Sequence, residues 1–166
     1  MRSSITEAAL AEALERLGDA CAALALPDPL LVGIETGGVW LARWLHQRLG
    51  AMAPLATLDA GFYRDDLHQG GFKGQARASS LPASVDGRHI LLVDDVLHTG
   101  RTTCAALREL FDFGRPACVR VAVLVDRGGR ELPIAPDAVG LCLQLPADQR
   151  LQLLGPEPLR FSLEPA

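Results

Sequence analysis

The feature that most restricts the fold is a series of short, continuously apolar runs alternating with amphipathic helical stretches. "LLVGIE" (30–35), "HILLVDD" (89–95) and "VRVAVLVD" (119–126) read as strands that stay greasy on both sides until their last residues. "ATLDAGFYR" (56–64) is a further strand with partial alternation, "AVGLCLQL" (138–145) a fifth, and "LRFSLEP" (159–165) a short terminal one. Before the first strand, Leu10, Leu14, Leu17, Cys21 and Leu24 share one helical face, opened by a Ser4–Glu7 capping box and ended by Pro27 and Pro29. Val39, Trp40, Trp44, Leu45 and Leu49 make a second helix stopped by Gly50, after a tight turn at 36–38. Residues 101–113 make a third, with Leu107, Leu110 and Phe111 as its apolar side and Gly114 and Pro116 closing it. Strands without polar alternation are buried on both faces. The expectation is an α/β fold with a central, mostly parallel sheet and helices on both faces. A chain of 166 residues that is 49% hydrophobic fits one domain spanning 1–166.

In such sheets ligands bind beyond the carboxyl ends of the strands. Three stretches fall there: 35–38, 94–103 and 126–130. Residues 65–84 are polar and Gly-rich without clear periodicity. A loop of that length is uncommon in a compact domain and is often functional, with room for a short hairpin inside it.

The stretch "ILLVDDVLHTGRTT" (90–103) carries the most chemistry. Gly100 permits a sharp turn, and the first amides of the helix that follows have no intrahelical partners. With the helix dipole and the hydroxyls of Thr99, Thr102 and Thr103, they suit a phosphate monoester. Alone, "TGRT" is better read as an ordinary strand-turn-helix junction with a threonine cap. Asp94 and Asp95 change the balance. Two adjacent carboxylates repel each other unless they serve different partners, such as sugar hydroxyls or a divalent cation. A ribose fits between these acids and a 5′-phosphate in the threonine loop. His98 reads as a solvated loop histidine.

Other classes are disfavoured. The net charge of −4 shows no basic excess of the kind a large nucleic-acid surface carries. Neither a G-x-x-x-x-G-K-[ST] nor a G-x-G-x-x-G pattern is present, and the only lysine, Lys73, lies in the long loop. Cys21, Cys104, Cys118 and Cys142 are widely spaced and read as reduced thiols. The amphipathic start and the lack of a bilayer-length apolar run fit a cytoplasmic protein without a membrane partner.

"ILLVDDVLHTGRT" (90–102) resembles the phosphoribosyl pyrophosphate (PRPP) signature of the type I phosphoribosyltransferases. "LLVGIETGGVWLA", "FYRDDL", "DFGRPACVRVAVLVDRGGRELPI" and "VGLCLQLP" extend the likeness in matching order from Leu30 to Pro146. Together they resemble the pyrimidine operon regulator/uracil phosphoribosyltransferase branch. The resemblance implies the type I fold with a flexible loop at about 64–84 and a small hood. It also implies conversion of uracil and PRPP to UMP and pyrophosphate with Mg²⁺, the metal held mainly through PRPP. Asp94 and Asp95 would hold the ribose hydroxyls, and Thr99, Gly100, Arg101, Thr102 and Thr103 the 5′-phosphate. Glu35, Thr36, Gly37 and Gly38 would form the pyrophosphate loop. Arg64 would stabilise the departing pyrophosphate, and Val125, Asp126 and Arg127 would approach uracil. The branch implies a homo-oligomer, dimer or higher, and no DNA partner.

Two departures bear on function. The branch usually has K-T-R-G where this chain has Glu35-Thr36-Gly37-Gly38, so two cations are missing. Gly129 stands where a histidine is common. Members that act as attenuators bind pyr messenger RNA through a basic face. Residues 1–30 hold Arg2 and Arg16 against Glu7, Glu12, Glu15, Asp19 and Asp28, a local balance of −3 that makes a poor RNA platform. Arg115, Arg120, Arg127 and Arg130 are an alternative patch, but such arginines are more often solvated charges. The competing reading is an RNA-binding attenuator that senses UMP or UTP with little turnover.

Overall fold

The computed structural model describes residues 5–60 and 79–166. Helix α1 (Glu7–Ala23) is capped by Thr6, whose hydroxyl accepts from the Ala9 amide at 3.2 Å. Thr6 sits one residue before the first helical turn, where a side-chain oxygen can reach an unpaired amide; Ser4, of the expected Ser4–Glu7 pair, lies outside the described residues. Strand β1 (Leu30–Ile34) leads into α2 (Gly37–Leu49), which Gly50 ends in a left-handed conformation at φ 62°. β2 (Ala56–Leu58) follows, then β3 (His89–Leu97), α3 (Arg101–Asp112), β4 (Cys118–Asp126) and β5 (Ala138–Cys142). β6 (Gln149–Leu154) and β7 (Arg160–Pro165) complete the chain.

Five strands form one parallel sheet in the order β2-β1-β3-β4-β5. Alternation along each strand sends residues to opposite faces. Leu31, Leu91, Val93, Ala122 and Leu124 pack with Leu10, Leu17, Leu41 and Leu45, so α1 and α2 cover one face. Leu30, Val32, Ile34, Ile90 and Leu92 pack with Ala106 and Leu110, so α3 covers the other. This two-sided burial is why the strands are apolar throughout. Burial also pushes the Cys21 thiol up to about 12 through the cost of charging it away from water, and all four cysteines are free.

Three strand boundaries differ from expectation. β2 stops at Leu58 rather than running to 64; residues 61–64 lie outside the described residues. Thr57 exchanges backbone hydrogen bonds with Ser80, so the chain returns antiparallel beside β2. β3 runs two residues past Asp95, because Val96 and Leu97 still pair with Val125 and Asp126. β5 ends at Cys142, after which the Leu143 amide donates to Asp126 O at 2.9 Å.

A strand also forms at 149–154, where the sequence shows only weak alternation. There β6 pairs antiparallel with β7 in a separate two-stranded sheet. Leu151 and Leu153 of β6 join the core on the α1–α2 side. Among the described residues, no helix is long and apolar enough to cross a membrane.

Candidate functional site

β1, β3 and β4 all deliver their carboxyl ends to one edge of the sheet. A cleft of about 320 Å³ opens there. Its floor includes Thr36 and Gly37 after β1, Asp94, Asp95 and Val96 in β3, and His98 and Thr102 around the start of α3. Arg127 after β4 and Trp40 of α2 line its sides. Arg150, Leu151, Gln152 and Leu153 of β6 form the opposing wall.

The paired acids are still within the strand, so their side chains leave on opposite faces. Asp94 is 3% exposed, and its carboxylate accepts from the Asp95 amide at 2.9 Å. The Asp95 carboxylate accepts from the Val96 amide at 2.8 Å. Divergent directions and separate amide donors explain how two neighbouring negative charges coexist.

Gly37 and Gly38 are required by close approach rather than by their torsions. A β-carbon on Gly37 would collide with the Asp95 carboxylate, and one on Gly38 with the backbone carbonyl of Val93. The start of α2 is thereby pressed onto the end of β3. The Glu35–Thr36 peptide preceding it is cis. Glu35 and Gly38 are not among the cleft-lining residues; Thr36 and Gly37 are.

Gly100 has φ 91°, a left-handed conformation suited to glycine, and a β-carbon there would press on Ile134 at 3.1 Å. Thr99 is buried, and its hydroxyl accepts from the Arg101 amide at 3.2 Å. Its carbonyl accepts from the amides of Glu131 and Leu132 at 3.0 and 3.1 Å, tying the threonine loop to the chain after β4. Thr102 faces the cleft. Thr103 does not line it: the side chain is 1% exposed on the inner side of α3, and its hydroxyl has no hydrogen-bond partner. The Arg101 guanidinium is engaged by Glu131 at 2.9 and 2.6 Å, away from the cleft-lining set. Contact between Arg101 and an anion would therefore come through its backbone.

After β4 the expected base-binding residues separate. Val125 is buried in the core, so only its backbone faces the strand end. The Asp126 carboxylate receives Arg130 at 2.6 Å and the Gly128 amide at 3.0 Å. Burial pushes its carboxyl up, but the Arg130 hydrogen bond, the Gly128 amide and the nearby positive charge outweigh this, and the net shift is downward. Arg130 also donates to the carbonyls of Ile134 at 2.9 Å and His98 at 2.8 Å. It is a strap across the loop. Arg127 is the member of the expected trio that lines the cleft.

His98 is half-buried on the cleft wall rather than solvated, beside Gly129, where a β-carbon would lie 2.9 Å from its Nε2. The four arginines weighed as a basic patch are also mostly otherwise engaged. Arg120 pairs with Asp137 at 3.0 Å, Arg130 with Asp126, and Arg127 lines the cleft. On α1, Arg16 pairs with Glu12, while Asp19 and Glu15 draw Arg48 from α2. Arg64 and most of the 64–84 loop lie outside the described residues.

Both α2 and α3 begin at this cleft, and helix N-termini favour anions. Two carboxylates, two such termini and an arginine on each side suit a ligand that carries phosphates and hydroxyls together. Among the described residues, no three His, Cys, Asp or Glu side chains converge as a metal cage. A cation bound mostly by ligand phosphates and water needs only one or two protein carboxylates, and Asp94 and Asp95 meet that requirement.

Sequence reasoning missed Trp40, Arg150 and Gln152 as cleft residues. Trp40 fits the apolar spacing of α2 and carries no separate signal in the sequence. Arg150 and Gln152 did carry a signal: in "QRLQLL" they alternate with Leu151 and Leu153, the period of a half-buried strand.

The phosphoribosyl transferase domain model matches residues 5–156. Among curated relatives, a protein described as bifunctional protein PyrR from Pseudomonas fluorescens is 50% identical over 139 residues, covering 84% of this chain and 83% of its own. Its counterpart in Pseudomonas aeruginosa (strain LESB58) is 56% identical over 131 residues, covering 79% and 77%. Among solved structures, a purine phosphoribosyltransferase from Pyrococcus horikoshii aligns with a TM-score of 0.62 at 20% identity, over 84% of this chain and 85% of that one. A hypoxanthine phosphoribosyltransferase from Staphylococcus aureus aligns at 0.63 and 19%, over 87% and 78%. At these identities the structural matches speak to the fold alone.

Proposed function

The chain belongs to the phosphoribosyl transferase domain family, in its PyrR branch, and from that premise we propose that it transfers the phosphoribosyl group of PRPP to uracil, giving UMP and pyrophosphate. Support comes chiefly from one cleft that holds Asp94, Asp95, Thr36, Gly37 and Thr102 together, between two helix N-termini. The pairing of acids for a sugar with amides for a phosphate is what a phosphorylated ribose requires.

In this reading the amides at the start of α3 and the Thr102 hydroxyl bind the 5′-phosphate. Asp95 and Asp94 hold the ribose hydroxyls from the strand end. The turn at Thr36–Gly37 offers backbone amides to the pyrophosphate. Bond cleavage leaves oxocarbenium-like charge on the ribose, which the nearby carboxylates stabilise, while amides and arginines stabilise the departing pyrophosphate. No covalent nucleophile is needed. Asp94 and Asp95 would help hold the Mg²⁺ that accompanies PRPP, and the ion would supply charge neutralisation for the leaving group. Arg64, which lies outside the described residues, would add a positive charge to stabilise the departing pyrophosphate. Arg127, just after β4, would approach the base, with Asp126 at the strand end and the backbone of Val125 beside it. We place the whole chain in one catalytic domain, working in the cytoplasm as a dimer or larger oligomer.

The test is direct. Protein, Mg²⁺, labelled uracil and PRPP should yield UMP, whereas hypoxanthine and orotate should not react. A protein that turns over hypoxanthine in preference to uracil would overturn the base assignment.

The branch name is bifunctional, so control of pyrimidine genes through pyr messenger RNA is the second role to test. The paired charges and acidic surface of α1 oppose a tight RNA contact there. We expect RNA binding to be weak at moderate salt.

A further inference from the structure

The pyrophosphate turn poses a charge problem. PRPP is a polyanion, yet Glu35-Thr36-Gly37-Gly38 contains no cation, and the nearest acids, Asp94 and Asp95, are negative. Beyond the helix amides and any cation that PRPP brings, positive side chains in this cleft come from outside the turn.

Several arginines near the sheet edge are committed outside the cleft-lining set: Arg101 to Glu131, Arg120 to Asp137 and Arg130 to Asp126. Among the described residues, the arginines lining the cleft are Arg127 and Arg150. Arg127 is tied to the β3–β4 side, since its amide donates to Leu97 O at 3.0 Å. Arg150 comes from the other wall. It lies on β6, with Gln152 next on the same side of the strand, while Leu151 and Leu153 turn into the core. The far end of that strand is seated on α2: a β-carbon on Gly155 would lie 2.7 Å from the Trp40 ring. Trp40 stands one turn along the helix that begins at the pyrophosphate turn, so the β6 wall is fixed to the element that presents Thr36 and Gly37.

We propose that Arg150 supplies the cationic side chain that the pyrophosphate turn lacks, pairing with the phosphates of PRPP from the hood side of the cleft. The proposal rests on the PRPP-binding reading of the cleft and adds a residue to it. A guanidinium suits the task because its planar fork meets phosphate oxygens in pairs. Arg150 already has a partner within the protein, for which the ligand phosphate competes.

Steady-state kinetics of the full chain and of Arg150→Gln and Arg150→Lys test this. In Arg150→Gln the KM for PRPP should rise about tenfold and inhibition by pyrophosphate should weaken by about the same factor, the loss expected for one charge-assisted contact. The KM for uracil should stay within about twofold, as expected when an interaction to one substrate is removed. Arg150→Lys should recover part of the PRPP affinity and of pyrophosphate inhibition. An unchanged KM for PRPP, or a rise confined to uracil, would overturn the assignment. So would equal losses for both substrates with no recovery in the lysine variant, because that pattern marks a structural role. Calorimetry with PRPP and Mg²⁺ separates this proposal from the base assignment. If the wild type binds PRPP but makes no UMP, the uracil reading fails, while weaker PRPP binding by Arg150→Gln still supports Arg150.

Discussion

The Asp95 carboxylate lies directly over the α-carbon of Gly37, leaving no space for even a methyl group between them. Two stretches 58 positions apart in the chain are thus one structural unit, in which the turn after β1 fixes the acid at the end of β3. Gly37→Ala should displace Asp95 or lift the start of α2. We expect kcat/KM for PRPP to fall by about 100-fold, the scale of a roughly 1 Å misplacement of a catalytic group. Overpacking should cost about 1–3 kcal/mol of stability. Steady-state kinetics with a parallel denaturant titration checks both. Activity near that of the wild type would show that the contact can relax harmlessly.

Asp95→Asn keeps the shape and removes the charge. UMP formation should fall strongly, with the melting temperature within a few degrees of the wild type. A variant that retains most of its turnover would remove Asp95 from the ribose site.

Thr102 and Thr103 offer a contrast between neighbours. The Thr103 hydroxyl is buried without a partner, so Thr103→Val should be neutral or stabilise by about 1 kcal/mol, because an unsatisfied hydroxyl is replaced by a methyl of similar size. The KM for PRPP should not move. Thr102→Val should raise it several-fold, since that residue lines the cleft. The opposite pattern would return Thr103 to the phosphate site.

The Asp126–Arg130 pair makes stability depend on pH. The Asp126 pKa is lower in the folded chain than in the unfolded one. Its stabilising contribution is therefore complete above the unfolded carboxyl value of about 3.9 and fades as the pH falls through the lower folded value. Asp126→Asn should be less stable than the wild type at neutral pH, and the gap should close on acidification. Denaturant midpoints from pH 7 down to about pH 2 read this out. A gap that persists at the acid end would mean the carboxylate's charge is not what matters. Arg130→Ala should cost about 1–3 kcal/mol, because it strands the Asp126 carboxylate and the carbonyls of Ile134 and His98 together.

The sheet was legible in the sequence because burial on both faces leaves a plain mark. Leu30–Ile34, the greasy part of β3 and β4 have little polar content, and nothing else of that length packs so well. The acids and the TGRT turn were legible for a related reason: charge at the end of a buried strand requires a partner. Fine placement was harder. That Val125 and Thr103 point inward depends on strand phase and helix phase, and a one-residue slip reverses both. That the Arg101 guanidinium is engaged was hidden, because nothing in the local sequence reveals Glu131, thirty residues on, as its partner. The β6 wall was missed because six residues of weak alternation amid turn-forming neighbours resemble a loop until a second strand is available to pair with them.

That wall is held by its own ladder to β7 and by Leu151 and Leu153, while the five-stranded platform closes without it. The molecule is accordingly built like a vice with one fixed jaw and one replaceable jaw. Substitutions at Arg150 and Gln152 can retune what is gripped, leaving the anvil of acids and amides untouched. Drift in ligand preference among chains of this shape should therefore concentrate in the tail, far along the sequence from the motif that identifies them.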